Sequence, residues 1–300
     1  MTTCFKEVFG RQTSKVGPSR FFSRNLQNRG FTLIELMFVV GIFAVLAALL
    51  LPALNRSRAR AQAILCMGNS RQLSFAWTMY SSENNSSLAY NLSPNMQQRS
   101  FAPTINPNWI NNVMDWELTP GNTNQNFITQ SILAPYASYS ANIYHCPADH
   151  FLSDVQKAAG WTARVRSMSM NAMVGDPGIV LQNGGNINNP GFQQFVKESD
   201  FRDASSIFVF LDEHPDSIDD GYFLDTPPPA GGRAEWVDLP ASYHNGGGSF
   251  SFADGHTEIH RWRSASTIRP VNNAGLPFVI PTGDTADFDW VIKHTSFSTQ

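Results

Sequence analysis

The sequence predicts an α+β fold in which a long N-terminal helix, half in a membrane and half soluble, packs on an antiparallel β-sheet with long loops. Three patterns predict it. The stretch from Phe31 to Leu54 is predominantly apolar and carries no charge apart from Glu35. Helical spacing of apolar residues then continues to about Ser82, as in an amphipathic helix. Residues 244–262 contain the alternation and turn signals of a β-hairpin.

The apolar stretch is long enough to cross a bilayer. At ~1.5 Å per residue, a helix from Phe31 to Leu54 extends ~36 Å, and the hydrocarbon layer is ~30 Å thick. No Ala-x-Ala-type site stands directly after the apolar run, where a secretory signal would be cut, so the stretch differs from a secretory signal. A carboxylate inside a bilayer costs up to a few kcal/mol, so Glu35 requires a partner. The stretch therefore predicts a membrane-spanning helix with one functional carboxylate.

Charge supports a cytoplasmic N-terminus. Residues 1–30 carry six basic residues and one acidic residue, a net charge of +5, which leaves −8 for the remainder of a chain whose total is −3. Basic residues before a span favour the cytoplasmic side, although Arg56, Arg58 and Arg60 after it weaken that preference. The acidic remainder has no basic stripe, so nucleic-acid binding is not expected.

The string Gly-Phe-Thr-Leu-Ile-Glu, from Gly30 to Glu35, resembles the processing site of type IV prepilins and type II secretion pseudopilins. The resemblance implies cleavage after Gly30 by a prepilin peptidase and N-methylation of Phe31. It also implies that Glu35 pairs with the N-terminal amine of a neighbouring pilin or pseudopilin subunit. Pro52 falls where many pilins carry a helix-bending proline.

The resemblance also implies a domain organisation. Residues 1–30 would be a cytoplasmic leader that is removed, residues 31–55 the transmembrane half of the helix and residues 56–82 its soluble half. Residues 83–300 would form an exported α+β domain that contains the hairpin. The precursor would be a single-pass inner-membrane protein with its C-terminal domain in the periplasm or outside the cell. After processing, it would join a fibre.

The rest of the chain predicts short elements between loops. Residues 83–126 read as irregular loop, and Phe127 to Ser138 as a short helix interrupted at Pro135. Strands are predicted over Arg164–Met173 and Ser206–Leu211. A final short helix, N-capped by an acid, is predicted after Asp284.

Within the hairpin, Asp254-Gly255 favours a two-residue type I′ turn. Such a turn pairs Phe252 with Thr257 and Phe250 with Ile259. The predicted core face therefore carries Phe250, Phe252 and Ile259, and the opposite face carries His256, Glu258 and His260.

A second resemblance involves His244, which precedes Asp254-Gly255 by nine intervening residues. This spacing resembles the C-terminal motif of the H-x9-DG subgroup of prepilin-type proteins, and the segments around Cys66 and Cys146 look similar to that subgroup as well. An exported chain would keep these two cysteines in an oxidising compartment, which predicts a Cys66–Cys146 disulfide. Closing that loop of roughly 80 residues would stabilise the fold by ~4 kcal/mol. The alternative is a pair of buried free thiols.

Two sets of residues are candidate metal ligands, although no cofactor is required. A transition-metal site would use His244, Asp254, His256 and Glu258; otherwise these residues form a hydrated strand face and fix the hairpin. A Ca²⁺ site would draw on acidic residues that do not follow EF-hand spacing and otherwise form a solvated turn. These residues are Asp212, Asp216, Asp219 and Asp220, with Asp225 nearby.

The sequence predicts a structural subunit of a pilus or pseudopilus rather than an enzyme. It lacks Gly-x-Ser-x-Gly, His-Glu-x-x-His and a phosphate-binding Gly-rich loop. Asp212-Glu213-His214 is the most enzyme-like trio, but adjacent strand residues point to opposite faces. Two alternatives remain: a minor or tip pilin that binds a polymer or partner, and a pilin-anchored metal-binding or enzymatic domain. Exposed tryptophans in a groove would favour the binder, and the candidates are Trp109, Trp116 and Trp236.

Overall fold

Helix α1 runs from Leu33 to Glu83, which confirms the predicted long helix and its end near Ser82. The computed structural model describes residues 31–92, 107–183, 185–273 and 276–299. The predicted leader, including Gly30, lies outside the described residues. The chain divides into two compact units between Leu51 and Pro52. Pro52 lies inside α1, and the helix continues on both sides of it.

In the first unit, every residue from position 31 to position 51 is exposed. Within the described part of the chain, α1 is the one helix that is long and apolar enough to cross a membrane. Its exposed apolar surface is that expected for a segment whose surroundings are lipid or other apolar helices.

In the second unit, the buried face of α1 differs from the predicted apolar stripe. That stripe comprises Ala59, Ala63, Ile64, Leu65, Met67, Leu73, Phe75, Ala76 and Met79. Leu73 and Ala76 are buried, but Ile64, Leu65, Phe75 and Met79 are each 50–65% exposed. The buried face instead combines a few large apolar residues with small polar ones: Cys66, Ser70, Leu73, Ser74, Trp77 and Ser81. Small side chains allow the helix to approach the sheet closely, and the hydroxyl oxygens of Ser70 and Ser249 lie 3.2 Å apart.

The remaining helices are short. They are α2 (Asn126–Thr129), α3 (Asp154–Ala158) and α4 (Ala286–Thr295), with 3-10 turns at Pro120–Asn122, Ala134–Ala137, Asn142–Tyr144, Gly178–Val180 and Glu198–Asp200. Helix α2 and the 3-10 turn at Ala134–Ala137 match the predicted helix interrupted at Pro135. The predicted acidic N-cap of α4 is wrong, because Thr285 occupies that position while Asp284 accepts from the N–H of Ser266.

Nine strands are found among the described residues: β1 (Met168–Asn171), β2 (Leu181–Gln182), β3 (Gly185–Asn186), β4 (Phe208–Asp212), β5 (Tyr222–Phe223), β6 (Glu235–Trp236), β7 (Gly247–Phe252), β8 (Thr257–Arg261) and β9 (Phe278–Val279). The main sheet has the order β5-β1-β4-β7-β8, and β2-β3 and β6-β9 form separate pairs. The antiparallel prediction holds for β1, β4, β7 and β8, but edge strand β5 is parallel to β1. The sheet is therefore mixed.

The β7–β8 hairpin exists, but its predicted turn and register are wrong by one residue. The N–H of Phe252 donates to the carbonyl of His256 at 3.0 Å, which closes a three-residue loop. Gly255 has φ +88°, and neither Ala253 nor Asp254 has the positive φ that a type I′ turn requires. A three-residue loop with a left-handed glycine is the next most common hairpin connection.

The new register changes which side chains share a face. Phe250 pairs with Glu258, and Ser249 pairs with Ile259. Phe250 therefore lies on the same face as Glu258, while Ile259 lies on the other face with Ser249. The predicted common face of Phe250 and Ile259 does not form.

Hydrophobic cores cover both faces of the main sheet. One core joins α1 to the sheet through residues such as Leu73, Trp77 and Met170. The other contains Phe250 and Phe288, so it places α4 against the second face. The predicted hydrated face of β8 is partly covered as a result, because the His260 ring stacks on Trp290 of α4 with centroids 3.7 Å apart.

Candidate functional site

Thr32 and Glu35 form a capping box at the start of α1. Glu35 Oε2 accepts from the backbone N–H of Thr32 at 2.9 Å and from its hydroxyl at 2.7 Å. In return, Thr32 Oγ1 accepts from the Glu35 N–H at 3.3 Å. This reciprocal arrangement satisfies otherwise unpaired N–H groups at a helix start. Glu35 therefore has a partner within its own chain, which the Thr-x-x-Glu spacing signals and the sequence analysis missed.

The capping box lies in an uncovered apolar surface. Phe31, Ile34, Phe38 and Val39 surround Glu35, and all of them are exposed. Capping leaves the Glu35 carboxylate exposed, so it remains accessible to a cationic group from another molecule. An accessible carboxylate surrounded by apolar side chains is expected at a surface where association with another molecule would bury an ion pair.

A second cluster lies in the folded unit and gathers Cys66, Cys146, Asp212 and His244. Cys66 comes from the buried face of α1, and Asp212 is the last residue of β4. Cys146 follows the 3-10 turn that ends at Tyr144, and His244 lies in the turn before β7. We call these four residues the tetrad. They are 0–3% exposed, and one ligand atom from each lies within 4.8 Å of all the others.

The tetrad side chains are in mutual contact. Cys66 Sγ lies 3.0 Å from Asp212 Oδ2 and 3.2 Å from Oδ1. His244 Nε2 lies 3.4 Å from Cys146 Sγ and 3.4 Å from Asp212 Oδ2. The N–H of Ser249 also donates to Asp212 Oδ2 at 3.3 Å, so the backbone of β7 orients the carboxylate.

Burial and proximity shift the proton affinities of the tetrad. Burial raises the pKa of the Cys66 thiol, and contact with Cys146 and the negative charge of Asp212 raise it further. Burial alone would lower the pKa of His244, but hydrogen bonds with Asp212 and Cys146 outweigh it and raise that pKa to about 9. Both shifts favour the protonated forms of the Cys66 thiol and the His244 imidazole at neutral pH.

The predicted Cys66–Cys146 disulfide is absent, because both residues are free, buried cysteines in the structure. A disulfide requires sulfur atoms about 2.05 Å apart. The two sulfur atoms instead lie in one cluster with a carboxylate and an imidazole. The prediction was right that Cys66 and Cys146 lie close together. It did not include Asp212 and His244, which complete the cluster.

The predicted transition-metal set is not brought together among the described residues. Asp254 lies in the hairpin loop, where its Oδ1 is 2.6 Å from Nδ1 of His256. Glu258 approaches His260 instead, at 3.9 Å. The H-x9-DG residues are thus divided between two places, with His244 in the tetrad and Asp254 at the hairpin loop.

The predicted calcium set also separates, because its carboxylates bind backbone N–H groups in different loops. Asp216 accepts from Asn272 and Asn273, each at 2.9 Å. Asp219 accepts from the N–H of Asp220, which in turn accepts from Tyr222. These carboxylates brace loops, while Asp212 belongs to the tetrad.

The Asp212-Glu213-His214 trio does not form a catalytic arrangement. Glu213 accepts from the hydroxyl of Ser217 at 2.8 Å. His214 Nδ1 accepts from the N–H of Asp216 at 3.1 Å, and its Nε2 lies 3.2 Å from the carbonyl of Arg269. The three side chains therefore have separate partners.

The predicted tryptophan groove is not formed either. Trp109 is fully buried and stacks on Tyr144, and Trp236 is buried against Phe288. The ring of Trp116 is covered by the guanidinium of Arg164, 4.4 Å from its centroid. Two of the three are core residues, so they provide no aromatic platform for a polymer.

Comparison with known proteins identifies the N-terminal segment. Residues 25–51 match the family model described as the prokaryotic N-terminal methylation motif. The match and the long apolar helix support a type IV prepilin-like protein that is anchored in a membrane. Searches of curated proteins and of solved structures found no match to the chain. The H-x9-DG motif, which lies beyond the matched segment, remains a resemblance.

Proposed function

We propose that this chain is a structural subunit of a type IV pilus or a type II secretion pseudopilus-like fibre. In this proposal a prepilin peptidase cleaves the exported precursor after Gly30, and Phe31 is N-methylated. The match of residues 25–51 to the methylation motif carries the proposal. It is supported by the apolar helix that starts at Leu33, the third residue after the proposed cut.

Glu35 supplies the charge for assembly. Cleavage would create a positively charged amine on Phe31, and methylation keeps that charge. The carboxylate of Glu35 is exposed within an apolar surface, where an amine from a neighbouring subunit can reach it. A charge left unpaired in a bilayer is costly, so the pair would favour assembled over isolated subunits.

The exposed side of α1 supplies apolar area for the neighbouring helices. In the second unit this side includes Ile64, Phe75 and Met79, which are 65%, 50% and 50% exposed. These residues are eleven and four positions apart, which places them on one side of a helix. A helix that leaves such a row uncovered has a surface suited to another apolar helix.

Intact mass spectrometry of the membrane-derived protein tests the proposal. The expected mass is that of a chain beginning at Phe31 with one added methyl group. A Gly30→Ala variant should retain the full-length mass, and it controls for non-specific proteolysis. A wild-type chain that retains Met1, or one that is cut after Leu54, would overturn the proposal.

A further inference from the structure

We propose that the tetrad of Cys66, Cys146, Asp212 and His244 binds one Zn²⁺ ion in a closed structural site. The motif match at residues 25–51 does not bear on these residues, so the proposal is independent of the fibre function. It differs from both metal sets that the sequence suggested, since the structure joins His244 to two cysteines and to Asp212.

The ligand types fit zinc. Zn²⁺ in proteins is bound by Cys sulfur at ~2.3 Å and by His nitrogen or carboxylate oxygen at ~2.0–2.2 Å, usually with four ligands in a tetrahedron. Two sulfur ligands also favour zinc over Mg²⁺ or Ca²⁺, which prefer oxygen. The tetrad offers two sulfur atoms, one imidazole and one carboxylate.

The distances fit as well. A tetrahedron with those bond lengths has ligand-to-ligand edges of roughly 3.3–3.8 Å. His244 Nε2 lies 3.4 Å from both Cys146 Sγ and Asp212 Oδ2, and Cys66 Sγ lies 3.0 Å from Asp212 Oδ2. Every pair of ligand atoms is within 4.8 Å, so side-chain adjustments of about an ångström would complete the tetrahedron.

Burial makes the site structural rather than catalytic. The four side chains are 0–3% exposed, so no coordination position faces solvent or a substrate. Outer contacts already orient the ligands, since Ser249 donates to Asp212 and the N–H of Cys146 donates to Ser167 Oγ at 2.6 Å. Contacts of this kind fix metal ligands in proteins.

The ion would join parts of the chain that are far apart in sequence. Its ligands come from α1, from the loop after Tyr144, from the end of β4 and from the turn before β7. Binding therefore ties the helix that continues from the membrane segment to the main sheet. Because an unfolded chain does not preform such a site, zinc binding would stabilise the folded state.

Metal analysis of the full-length, untagged protein in detergent tests the proposal. Protein purified with ZnSO₄ under anaerobic conditions should contain one zinc ion per chain and, once denatured without reductant, should react with alkylating reagent at both Cys66 and Cys146. Replacement by Co²⁺ should give a thiolate-to-cobalt charge-transfer band, which reports sulfur ligation without any mutation. A chelator should lower the Tm.

Matched variants locate the ion. Asp212→Asn and His244→Ala should reduce bound zinc to background, while Asp254→Asn and His256→Ala, which remove the same residue types from the hairpin loop, should keep one ion. Three results would overturn the proposal: two reactive thiols with no bound zinc, a Cys66–Cys146 disulfide in the anaerobic protein, or zinc lost equally from the Asp254 and His256 variants. The cobalt spectrum decides the question even if a tetrad variant does not fold.

Discussion

Glu35 has two roles that substitution can separate. Within one chain it completes the capping box with Thr32, and in the proposed fibre it pairs with an amine of a neighbour. The first role requires a hydrogen-bond acceptor, which glutamine also provides. The second role requires a negative charge. A neutral isostere therefore removes one role and keeps the other.

Glu35→Gln should abolish incorporation into fibres while leaving helix and processing intact, because it removes only the charge. Thr32→Val should impair the capping role alone, because it weakens the helix start by about 1 kcal/mol but keeps the charge of Glu35. Fibres sheared from cells that carry the assembly machinery can be counted by electron microscopy, with processing checked by mass spectrometry. Fibres that persist in Glu35→Gln but are lost in Thr32→Val would mean that capping, rather than charge, is what assembly requires.

Asp225 makes stability depend on pH. It is fully buried, which raises its pKa well above the ordinary range, although the N–H groups of Val237 and Asp238 partly oppose this. The folded state then retains a proton that the unfolded state releases near pH ~3.9. The free energy of unfolding therefore falls as pH rises from that value through the raised pKa of Asp225.

Asp225→Asn should reduce this fall, because an amide carries no charge at any pH and can still accept from both N–H groups. Urea unfolding at several pH values between 4 and 8 measures it. Asp203→Asn is the control: hydrogen bonds from Ser205 lower the pKa of Asp203, so its contribution to the slope lies below pH ~4 and its removal should leave the slope between pH 4 and 8 unchanged. An unchanged slope in Asp225→Asn would contradict the argument.

At the scale of elements, α1 shows what periodicity can predict. Its length and end were predictable because apolar residues recur at helical spacing along nearly all of its 51 residues, and Pro52 does not interrupt the helix. The side of the helix that is buried was not predictable, because that side carries Ser70 and Ser74, whose small side chains let the helix approach the sheet. Larger side chains there would hold the helix away from the sheet. Ile64 and Phe75 have the spacing of core residues and are exposed instead. Periodicity alone does not distinguish a surface that faces the domain from one available to another subunit.

The β7–β8 hairpin was predicted as an element but not in register. Asp-Gly favours a two-residue turn, yet the chain places Gly255 in the third position of a three-residue loop. Packing decides the register: the shift places His260 of β8 on the same face as Phe250, where both rings contact Trp290 of α4. A local turn preference is worth less than burying an aromatic ring.

Two glycines of the hairpin should differ in their tolerance of alanine. Gly255→Ala should lower the free energy of unfolding by about 1 kcal/mol, because φ is +88° but a new Cβ meets no atom within 4 Å. Gly247→Ala should cost more, since its Cβ would lie 2.6 Å from the carbonyl oxygen of His260. Chemical denaturation of both variants checks the order, and Gly255→Asn should be milder than Gly255→Ala. The reverse order would contradict the observed loop.

At the scale of the whole molecule, local signals predicted the architecture, and distant contacts determined the site. The span, the long helix and the α+β class follow from composition and periodicity. The tetrad does not, because Cys66, Cys146, Asp212 and His244 lie 80, 66 and 32 positions apart along the chain and no local spacing signals their contact. The cysteine count was the one available signal, and it indicated a pair rather than four ligands.

The precursor should have one orientation in the membrane. An alkaline phosphatase fused after Gln300 should be active in the periplasm, because the basic residues before Phe31 favour a cytoplasmic N-terminus. A fusion that replaces everything after Asn28 should be inactive, and it serves as the control. An inactive fusion at Gln300, with the fusion protein present in the membrane, would contradict the proposed topology.

The places of His244 in the tetrad and of Asp254 in the hairpin loop restrict how far the spacing between them can vary in related proteins. The nine intervening residues contain the whole of β7, since one end of the motif lies in the tetrad and the other in the hairpin loop. The spacing is therefore a measure of strand length. Inserting one residue would exchange the two faces of β7, turning Phe250 toward α1 and a serine toward α4. A homologue with eight or ten intervening residues would need a bulge to keep both the buried ligand and the loop.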